Sequence, residues 1–579
     1  MANTFFGLTI AGSGLTASNI AINTTAHNVS NVNTEGYTKQ VASQTAADSI
    51  RVYSTYGTVG TGVKVEEINQ LRSAYYDAKY WDNNCNYGEY KTLESYSSLI
   101  EGYLDEFNLD GFTVEYQNLF KALNTLANDD PGSEVARNQF LNYAASLSDY
   151  FNTLSTNLSS VQKQANDAVK SNVDSINTIA SKIASLNKQI NVIEMNGGSA
   201  NDLRDARAVL IDELSEYVDT RTTEATLDGG MTEYRVIINN QVLVDGYDYN
   251  KLELYARATD EKRNASDIEG LYDIKWENGL YFNVYSDTMS GSLKAAIDIR
   301  DGCNDSYEVL GLKDADGNFL KMDDDGNLLK YGDAGYDNAS VARTQDLTAI
   351  QYSTYISAGY SRALTVEADS YRNPSYKGIP YYQSQLNAFA QSIADAFNNI
   401  IANADGNHPH YDEKGNEIVH YDGTNNSSST LHNLFVSAYD DDEDGYVSAS
   451  SICVNKLILD NTKLLPYSYD LTQGIANNDM VKDLIALKDE KTIRNGTFDE
   501  YLRSLVSVIS VDTSTAKVFS KNYDNVRATI DNQRTSVSGV DEDEEGVDLV
   551  KFQNAYNLSA KVIQVMQEIY SKLINETGV

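Results

Sequence analysis

Proline and cysteine are nearly missing from this sequence, tryptophan and histidine are scarce, and positive charge is heavily outnumbered. Five prolines in 579 residues leave room for long helices, because proline removes a backbone donor and clashes with the preceding turn. Cys85, Cys303 and Cys453 lie far apart without metal or redox spacing, which excludes a disulfide framework. Lys and Arg total 45 against 83 Asp and Glu, a formal net charge of −38. Such a surface repels phosphate backbones and anionic headgroups, which argues against nucleic acid and lipid surfaces as partners. No stretch approaches 18 consecutive apolar residues, so no bilayer span is encoded. The first basic residue is Lys39, whereas a secretory signal needs a basic start. A soluble chain, with no membrane insertion and any export on an uncleaved signal, is therefore expected. Motifs of catalysis are missing too: there is no phosphate-binding Gly-rich loop, nucleophile elbow or His-Glu-x-x-His. Neither an enzymatic activity nor a cofactor is expected. What is present suits a folded protein of roughly four domains at about 150 residues each, with 41% hydrophobic residues and 41 tyrosines.

Hydrophobic period divides the chain. From Leu8 an apolar residue recurs every seven positions, at Leu15, Ile22 and Val29, with Ala11, Ser18, Thr25 and Val32 between them. That narrow seam suits packing against another helix. A second helix is predicted from Glu134 to Met195, capped by Ser133 and stopped by Asn196-Gly197-Gly198. At about 1.5 Å per residue it makes a rod of roughly 90 Å, longer than a compact domain requires. A short helix follows, with Leu203, Ala206, Leu210, Leu214 and Tyr217 on one face. Residues 221–380 change to period two, with hairpins at 235–244 and 272–282. Two copies of a nine-residue unit, from Asp314 and from Asp323, carry Asp-Gly-Asn and read as tight turns; a looser copy starts at Asp412. Helical spacing returns at Leu386–Ile400 and at Tyr501–Val537. The last helix carries two apolar stripes: Leu549, Phe552, Tyr556, Ile563, Met566 and Leu573 on one, Leu558, Val562, Val565 and Ile569 on the other. Two stripes require neighbours on two sides.

Two groups could hold metal. His408, His410, His420 and His432 fall within one region, and Asp440, Asp442 and Asp444 match the first positions of a calcium loop. The loop's twelfth position is Ser451, where a bidentate Glu is needed, so no metal is expected at either and an acidic surface loop is favoured.

Ala26-His27-Asn28-Val29-Ser30-Asn31-Val32-Asn33-Thr34-Glu35-Gly36-Tyr37 resembles the motif after the first helix of bacterial flagellar rod, hook and hook-associated proteins. Ser538-Gly539-Val540, Asp543-Glu544-Glu545 and the following Leu549, Gln553, Ala555-Tyr556 and Ala560-Lys561-Val562-Ile563 resemble the closing helix of the same family, in its hook-associated form. Lys39 stands where the family more often has Arg. The resemblance implies an α+β fold: long α-helical coiled-coil or bundle domains built from both termini, with β-rich outer domains inserted in the middle. It implies residues 1–52 with 540–579 as a terminal coiled-coil domain lining an inner tube. Residues 53–220 with 380–404 and 476–539 form a helical rod domain, 221–302 with 405–475 a β-rich domain, and 303–379 an additional outer insert. The implied function is a structural subunit between hook and filament, exported by the flagellar type III apparatus. Its implied partners are further copies of itself, hook protein, the next hook-associated protein toward the filament, the export apparatus, and a chaperone on the C-terminal helix. The assembly residues expected are Leu8, Leu15, Ile22, Asn28, Val29, Asn31, Thr34, Gly36 and Tyr37 at the N-terminus, and the two stripes of the last helix at the other end. Hook or rod protein is one alternative, and an extracellular adhesin with a glycan- or calcium-binding middle is another.

Overall fold

With so little proline to interrupt them, the helices run long. The computed structural model describes residues 6–52, 57–106, 112–128, 133–227, 231–286, 288–323, 325–368, 375–421, 430–439, 443, 445–474 and 477–576. Twelve α-helices lie among them: α1 (Phe6–Ser30), α2 (Ala74–Glu106), α3 (Phe112–Asn128), α4 (Glu134–Glu194), α5 (Asn201–Tyr217), α6 (Ser292–Asp301), α7 (Ala349–Ser357), α8 (Ile379–Ala402), α9 (Lys456–Asp460), α10 (Asp479–Ala486), α11 (Phe498–Ser538) and α12 (Glu542–Asn575). The rod is α4, unbroken over 61 residues, and Ser133 caps it by accepting from Ala136 N–H. On α4 Leu154, Leu158, Val161, Ala165, Val169, Val173, Ile176, Ile179, Ile183 and Ile190 form a buried face, with Leu186 half-buried.

Strands form small sheets around these helices, antiparallel except where β17 (Glu417–His420) pairs in parallel with β18 (Thr430–Leu431). A two-stranded ribbon, β1 (Gln40–Ala46) with β4 (Val63–Gln70), carries the short hairpin β2 (Ile50–Val52) and β3 (Gly57–Val59). A four-stranded meander follows: β5 (Thr220–Thr226), β6 (Thr232–Ile238), β7 (Gln241–Asp245) and β8 (Asp248–Tyr249). Asn239 and Asn240, at φ 44° and 60°, make the β6–β7 turn expected of that hairpin. The second expected hairpin is reduced to a single bridge, Lys275 with Tyr281. Its first strand, β10 (Tyr272–Trp276), pairs along its length with β9 (Leu252–Ala256) instead. Farther on, β11 (Ser306–Lys313) pairs with the distant β15 (Ser361–Ala368), enclosing β12 (Lys321–Met322), β13 (Leu328–Leu329), β14 (Ser340–Val341) and helix α7, which the period-two reading of this region missed. Beyond α8 lie β16 (His410–Tyr411), β17 (Glu417–His420), β18 (Thr430–Leu431), β19 (Phe435–Ser437) and β20 (Ile452–Val454).

All three repeat copies fold alike. Asp314, Asp323 and Asp412 each accept from the backbone N–H two and four residues on, at 2.7–3.1 Å. The copy that is loosest in sequence is as regular as the others, because the turn depends only on the leading Asp and the Gly at positive φ.

Two large cores share the length of α4. The first gathers Phe112, Phe140 and Phe151 with Phe389 and Phe397 of α8 and Phe498 of α11, all fully buried. Residues 405–475, grouped on sequence with 221–302, contribute Leu434, Phe435, Val447 and Ile452 to this core. The second gathers Val169–Ala184 of α4 with α5, α6 and strands β6, β7, β9 and β10. A small third core, around Leu312, Leu320, Ala342 and Leu347, belongs to the 303–377 insert.

On α5 the expected apolar face is only part of what is covered: Leu214 is buried and Leu210 and Tyr217 pack half-buried on the second core, while Ala206 is exposed and Asp205, Arg207, Ile211 and Ser215 are buried beside them. The polar side chains there are satisfied by specific partners. On α11 Tyr501, Leu502, Leu505, Ile509, Thr513, Ala516, Ser520 and Ile530 are buried, with Val526 and Val537 exposed.

Strands are attached to helices by amide side chains. Asn177 of α4 donates to Leu252 O (2.8 Å) and accepts from Leu252 N (2.9 Å). Asn191 does the same to Thr232 (2.7 and 2.8 Å) and Asn398 of α8 to Phe435 (2.8 and 3.0 Å). Asn166 accepts from Tyr272 N at 2.9 Å. Each of these partners is the first residue of its strand. Asn398→Leu leaves the buried N–H and C=O of Phe435 unpaired, and the expected loss is about 2–4 kcal/mol, read as a lower urea midpoint.

A pH dependence follows from a second buried group. Burial pushes Glu308 up from 4.5 to about 8, against a weak opposing hydrogen bond from Asn387. Between those values the folded chain holds a proton that the unfolded chain has released. That contribution is complete below the unfolded value and is lost as pH rises through about 8. Across about pH 5 to pH 8, the window between those two values, the melting temperature of Glu308→Gln is expected to fall less than that of the parent.

Candidate assembly site

Helices α1 and α12 lie side by side, and small residues make the contact. On α1 the seam is Gly7, Ala11, Gly14, Ser18, Ala21, Thr25 and Asn28, alternating by four and three. A Cβ on Gly7 would overlap Met566, and one on Gly14 would stand 3.1 Å from Ser559 Oγ. The α12 side is the half-buried line Phe552, Tyr556, Ser559, Ile563, Met566 and Tyr570. A different side of α1 carries the β1–β4 ribbon, where Ser13 Oγ accepts from Val63 N at 3.2 Å.

Of the expected seam on α1, Ala11, Ser18 and Thr25 lie on the line used within the chain, and the large residues flank it. Leu8, Leu15 and Ile22 are half-buried and Val29 is exposed, while the small residues between them are covered. On α12, Leu558, Val562, Val565 and Ile569 are exposed, with Val562 at 46% and Ile569 at 47%. Leu549 and Leu573, expected on the covered stripe, are exposed as well. The sequence held a signal for the covered seam, a sevenfold repeat of Gly, Ala, Ser and Thr, but large apolar residues outweigh it in any reading by hydrophobicity.

At one end of this pair the two terminal motifs meet across more than 500 residues. Asn28 is 1% exposed and uses its whole amide. Its nitrogen donates to Gln40 O (2.9 Å) and Glu545 Oε2 (3.0 Å). Its oxygen accepts from Gln40 N (3.0 Å) and the Tyr37 hydroxyl (2.9 Å). Glu545, 2% exposed, also takes Lys39 Nζ at 3.0 Å, and Glu544 takes it at 2.7 Å. Burial opposes the Lys39 charge, but these two carboxylates outweigh it and hold the ammonium above its usual range. The Lys39 backbone N–H donates to Ser538 O at 2.8 Å, which ties the loop to the end of α11. Asp541 then caps α12 by accepting from Asp543 and Glu544 N–H.

The rest of the motif is structural. Gly36 sits at φ 73°, and a Cβ there would overlap Val209 of α5. Asn31 donates to His27 O and accepts from Thr34 Oγ1. His27 Nδ1 lies 3.0 Å from the Tyr37 hydroxyl.

Below the loop, α5 receives it. Asp205 accepts from Thr38 N (3.0 Å), Thr38 Oγ1 (2.8 Å) and Gln70 Nε2 (2.9 Å), and Asp202 accepts from Gln40 Nε2 at 2.8 Å. Burial raises Asp205, and the Thr38 hydrogen bonds and Arg72 pull the other way. A second junction joins α11 to α2 and α5, with Arg534 on Asp212 at 2.8 Å and Arg72 on Asp77 at 2.7 Å. Sequence reading found Asn28, Gly36 and Tyr37 but not Gln40, Asp205 or Arg534, whose roles exist only once α5 and α11 are beside the loop.

The metal readings fare differently. Asp440, Asp442 and Asp444 lie outside the described residues. His410 is buried with Nε2 3.0 Å from Ile400 O, and His432 faces Glu443 at 2.9 Å. Among the described residues no three His, Cys, Asp or Glu side chains converge as a metal site, and no helix is long and apolar enough to cross a membrane.

Paired terminal helices, joined by the motifs at the two ends of the sequence, define a helical structural subunit, and the sequences it resembles are flagellar. Residues 8–38 match a family described as flagella basal body rod protein, and 532–576 match the C-terminal region of flagellar basal body rod FlgEFG proteins. Residues 97–310 match the flagellar hook-associated protein FlgK helical domain. Flagellar hook-associated protein 1 of Bacillus subtilis is 26% identical, over 100% of this chain and 99% of its own length. Its namesake in Escherichia coli is 26% identical over 98% of each. The flagellar hook junction protein FlgK from Burkholderia pseudomallei aligns at TM-score 0.44 and 13% identity, covering 79% of this chain and 100% of that one. The chain is thus similar over nearly its whole length to flagellar hook-associated protein 1 of two bacteria, and in three separate segments to flagellar rod and hook-associated protein models.

Asn28→Leu removes the amide that joins Gln40 to Glu545. Faster hydrogen exchange and earlier proteolysis within α12 are expected, with the melting of the α4-centred body unchanged. A mass-spectrometric time course on the full chain reads both.

Proposed function

We propose that this chain is a non-enzymatic structural subunit of the flagellar hook–filament junction, polymerising through its terminal helices. The observation that carries the reading is the division of apolar surface between the two ends. Within the chain, α1 and α12 spend their small residues and one stripe on each other, and they leave Val29 of α1 and Leu558, Val562, Val565 and Ile569 of α12 exposed. Covering one such side chain contributes about 1.5–3 kcal/mol, and a tube of copies repeats the contact around its circumference. Residues 1–52 with 540–579 form the inner wall in this arrangement, and the strand-bearing middle with its 303–379 insert faces outward. The match of residues 97–310 to a hook-associated helical domain favours the junction over hook or rod protein.

Self-association and contacts along the hook axis go with the family. In our reading, hook protein lies on one side and the next hook-associated protein on the other. The chain leaves the cell through the type III export apparatus, and an export chaperone covers the open stripe of α12 beforehand. That last assignment rests on the stripe itself, since a row of exposed Val, Leu and Ile invites aggregation until neighbours cover it. Deletion of the gene is expected to give cells with hooks, no attached filaments, and flagellin in the medium. Attached filaments would contradict the assignment.

The two stripes of α12 are separable by mutation. Val562→Asp lies on the open stripe, so it is expected to abolish incorporation while the monomer's α1–α12 pairing, followed by hydrogen exchange, stays intact. Ile563→Asp lies on the covered stripe and is expected to release α12 in the monomer too. Assembly by the Val562→Asp variant at parental yield would remove the basis for two-sided packing.

A further inference from the structure

Helix α8 ends at Ala402, and Asn403 turns the chain back at φ 53°. An α-helix leaves its last four carbonyls without helical donors, and that of Ile400 is one of them. A side chain from the returning segment meets it. His410, the first residue of β16, is 1% exposed and places Nε2 3.0 Å from Ile400 O. A carbonyl only accepts, so Nε2 carries the hydrogen and Nδ1 keeps its lone pair. Nδ1 is buried without a hydrogen-bond partner among the described residues, and Tyr469 stands edge to face against the ring at 5.1 Å.

Little else holds this segment to the body. His410 pairs with Ile418 in a hairpin of two residue pairs, which is marginal by itself, and Tyr411 N–H donates to Tyr469 O at 2.7 Å. The imidazole is thus a buried contact between the hairpin and the helix that supplies Phe389 and Phe397 to the first core. Six charged or titratable groups come near it. Asp405 and His408 lie on the preceding turn, 3.4 Å from each other, and Asp405 also accepts from Asn407 N–H. Glu417 of β17 is exposed. Asp470 accepts from Thr472, Asp479 from the backbone N–H of Tyr469 and Met480, and Asp483 from the Tyr469 hydroxyl. Each of these carboxylates except Glu417 is therefore committed elsewhere. Burial holds the imidazole below its usual range; the bond to Ile400 O opposes that, a charged His408 adds to it, and Asp479 opposes it.

We propose that His410 is an acid-sensitive latch, whose protonation detaches residues 403–421 from the end of α8 while the α4-centred body stays folded. A second proton on the ring puts a charge and an unpaired donor in a buried site, and opening the segment returns both to water. The closed segment therefore binds this proton less readily than the open one. The latch is fully closed above the ordinary histidine value of about 6.5 and weakens as pH falls below it. None of these residues lies on α1, α11 or α12, so the latch is independent of the assembly surfaces.

Hydrogen exchange read by mass spectrometry on the full chain, at pH 7.5 and pH 5.5, tests it. After correction for the pH dependence of intrinsic exchange, peptides within 403–421 are expected to open about tenfold more often at the lower pH, with α4 unchanged. His410→Gln retains an N–H donor for Ile400 O and loses the titration, so its opening is expected to be equal at the two pH values. His408→Gln is expected to keep most of the parental response. The parental profile alone is enough to reject the latch, whether or not the variants fold: equal opening of 403–421 at both pH values, or a matching increase in α4, overturns it. A parental response that persists in folded His410→Gln, or one that disappears in His408→Gln, overturns the assignment to His410.

Discussion

A helical amide paired with the N–H and C=O of a strand's first residue is the contact on which the rest of this molecule depends. Asn177, Asn191 and Asn398 fix β9, β6 and β19 this way, and Asn28 fixes β1. The sheets are small, most of two or three strands, and sheets of that size are marginal by themselves. An amide bound at the point where each strand begins sets its register and direction against a helix that is already rigid. The same contact explains why polar residues recur along the buried faces of α4 and α8, where hydrophobic period alone would place aliphatic ones.

At the chain ends this contact acquires a further consequence. Asn28 reaches past Gln40 to Glu545, and Lys39 reaches Glu544 and Glu545, so the strand that leaves α1 is held to the helix that closes the chain. The pair below it is joined through Gly, Ala, Ser and Thr, which allow close approach but remove little apolar area from water. Larger side chains are displaced to the outside. A chain built this way is held locally at its joint and leaves apolar side chains exposed along α12.

The electrostatics are consistent with that picture. A net charge of −38 keeps copies apart in dilute solution. The few cations are placed where they hold the fold: Lys39 at the terminal joint, Arg534 and Arg72 at the α2–α5–α11 junction, and Arg257 and Arg300 on the fully buried Asp301. The carboxyl of Asp301 is held well below the usual range, since Arg257 and Arg300 outweigh its burial.

The sequence by itself determined α1, α4, α11 and α12, the Ser133 cap, the Asp-Gly-Asn turns and the presence of two apolar stripes on the last helix, because each follows from local chemistry or period. It also carried the terminal motifs that identify the family. It did not show α2, whose run of Tyr, Asn and Asp has no clear apolar face. Nor did it show which face of α5 is buried, since Asp205 and Arg207 are covered only because Thr38, Gln70 and Asn187 supply their partners. The choice of seam on α1 was likewise decided by tertiary structure. Small residues win that contact because α12 comes too close at Gly7 and Gly14 for a larger side chain, and no count of hydrophobic residues along one helix contains the distance to another.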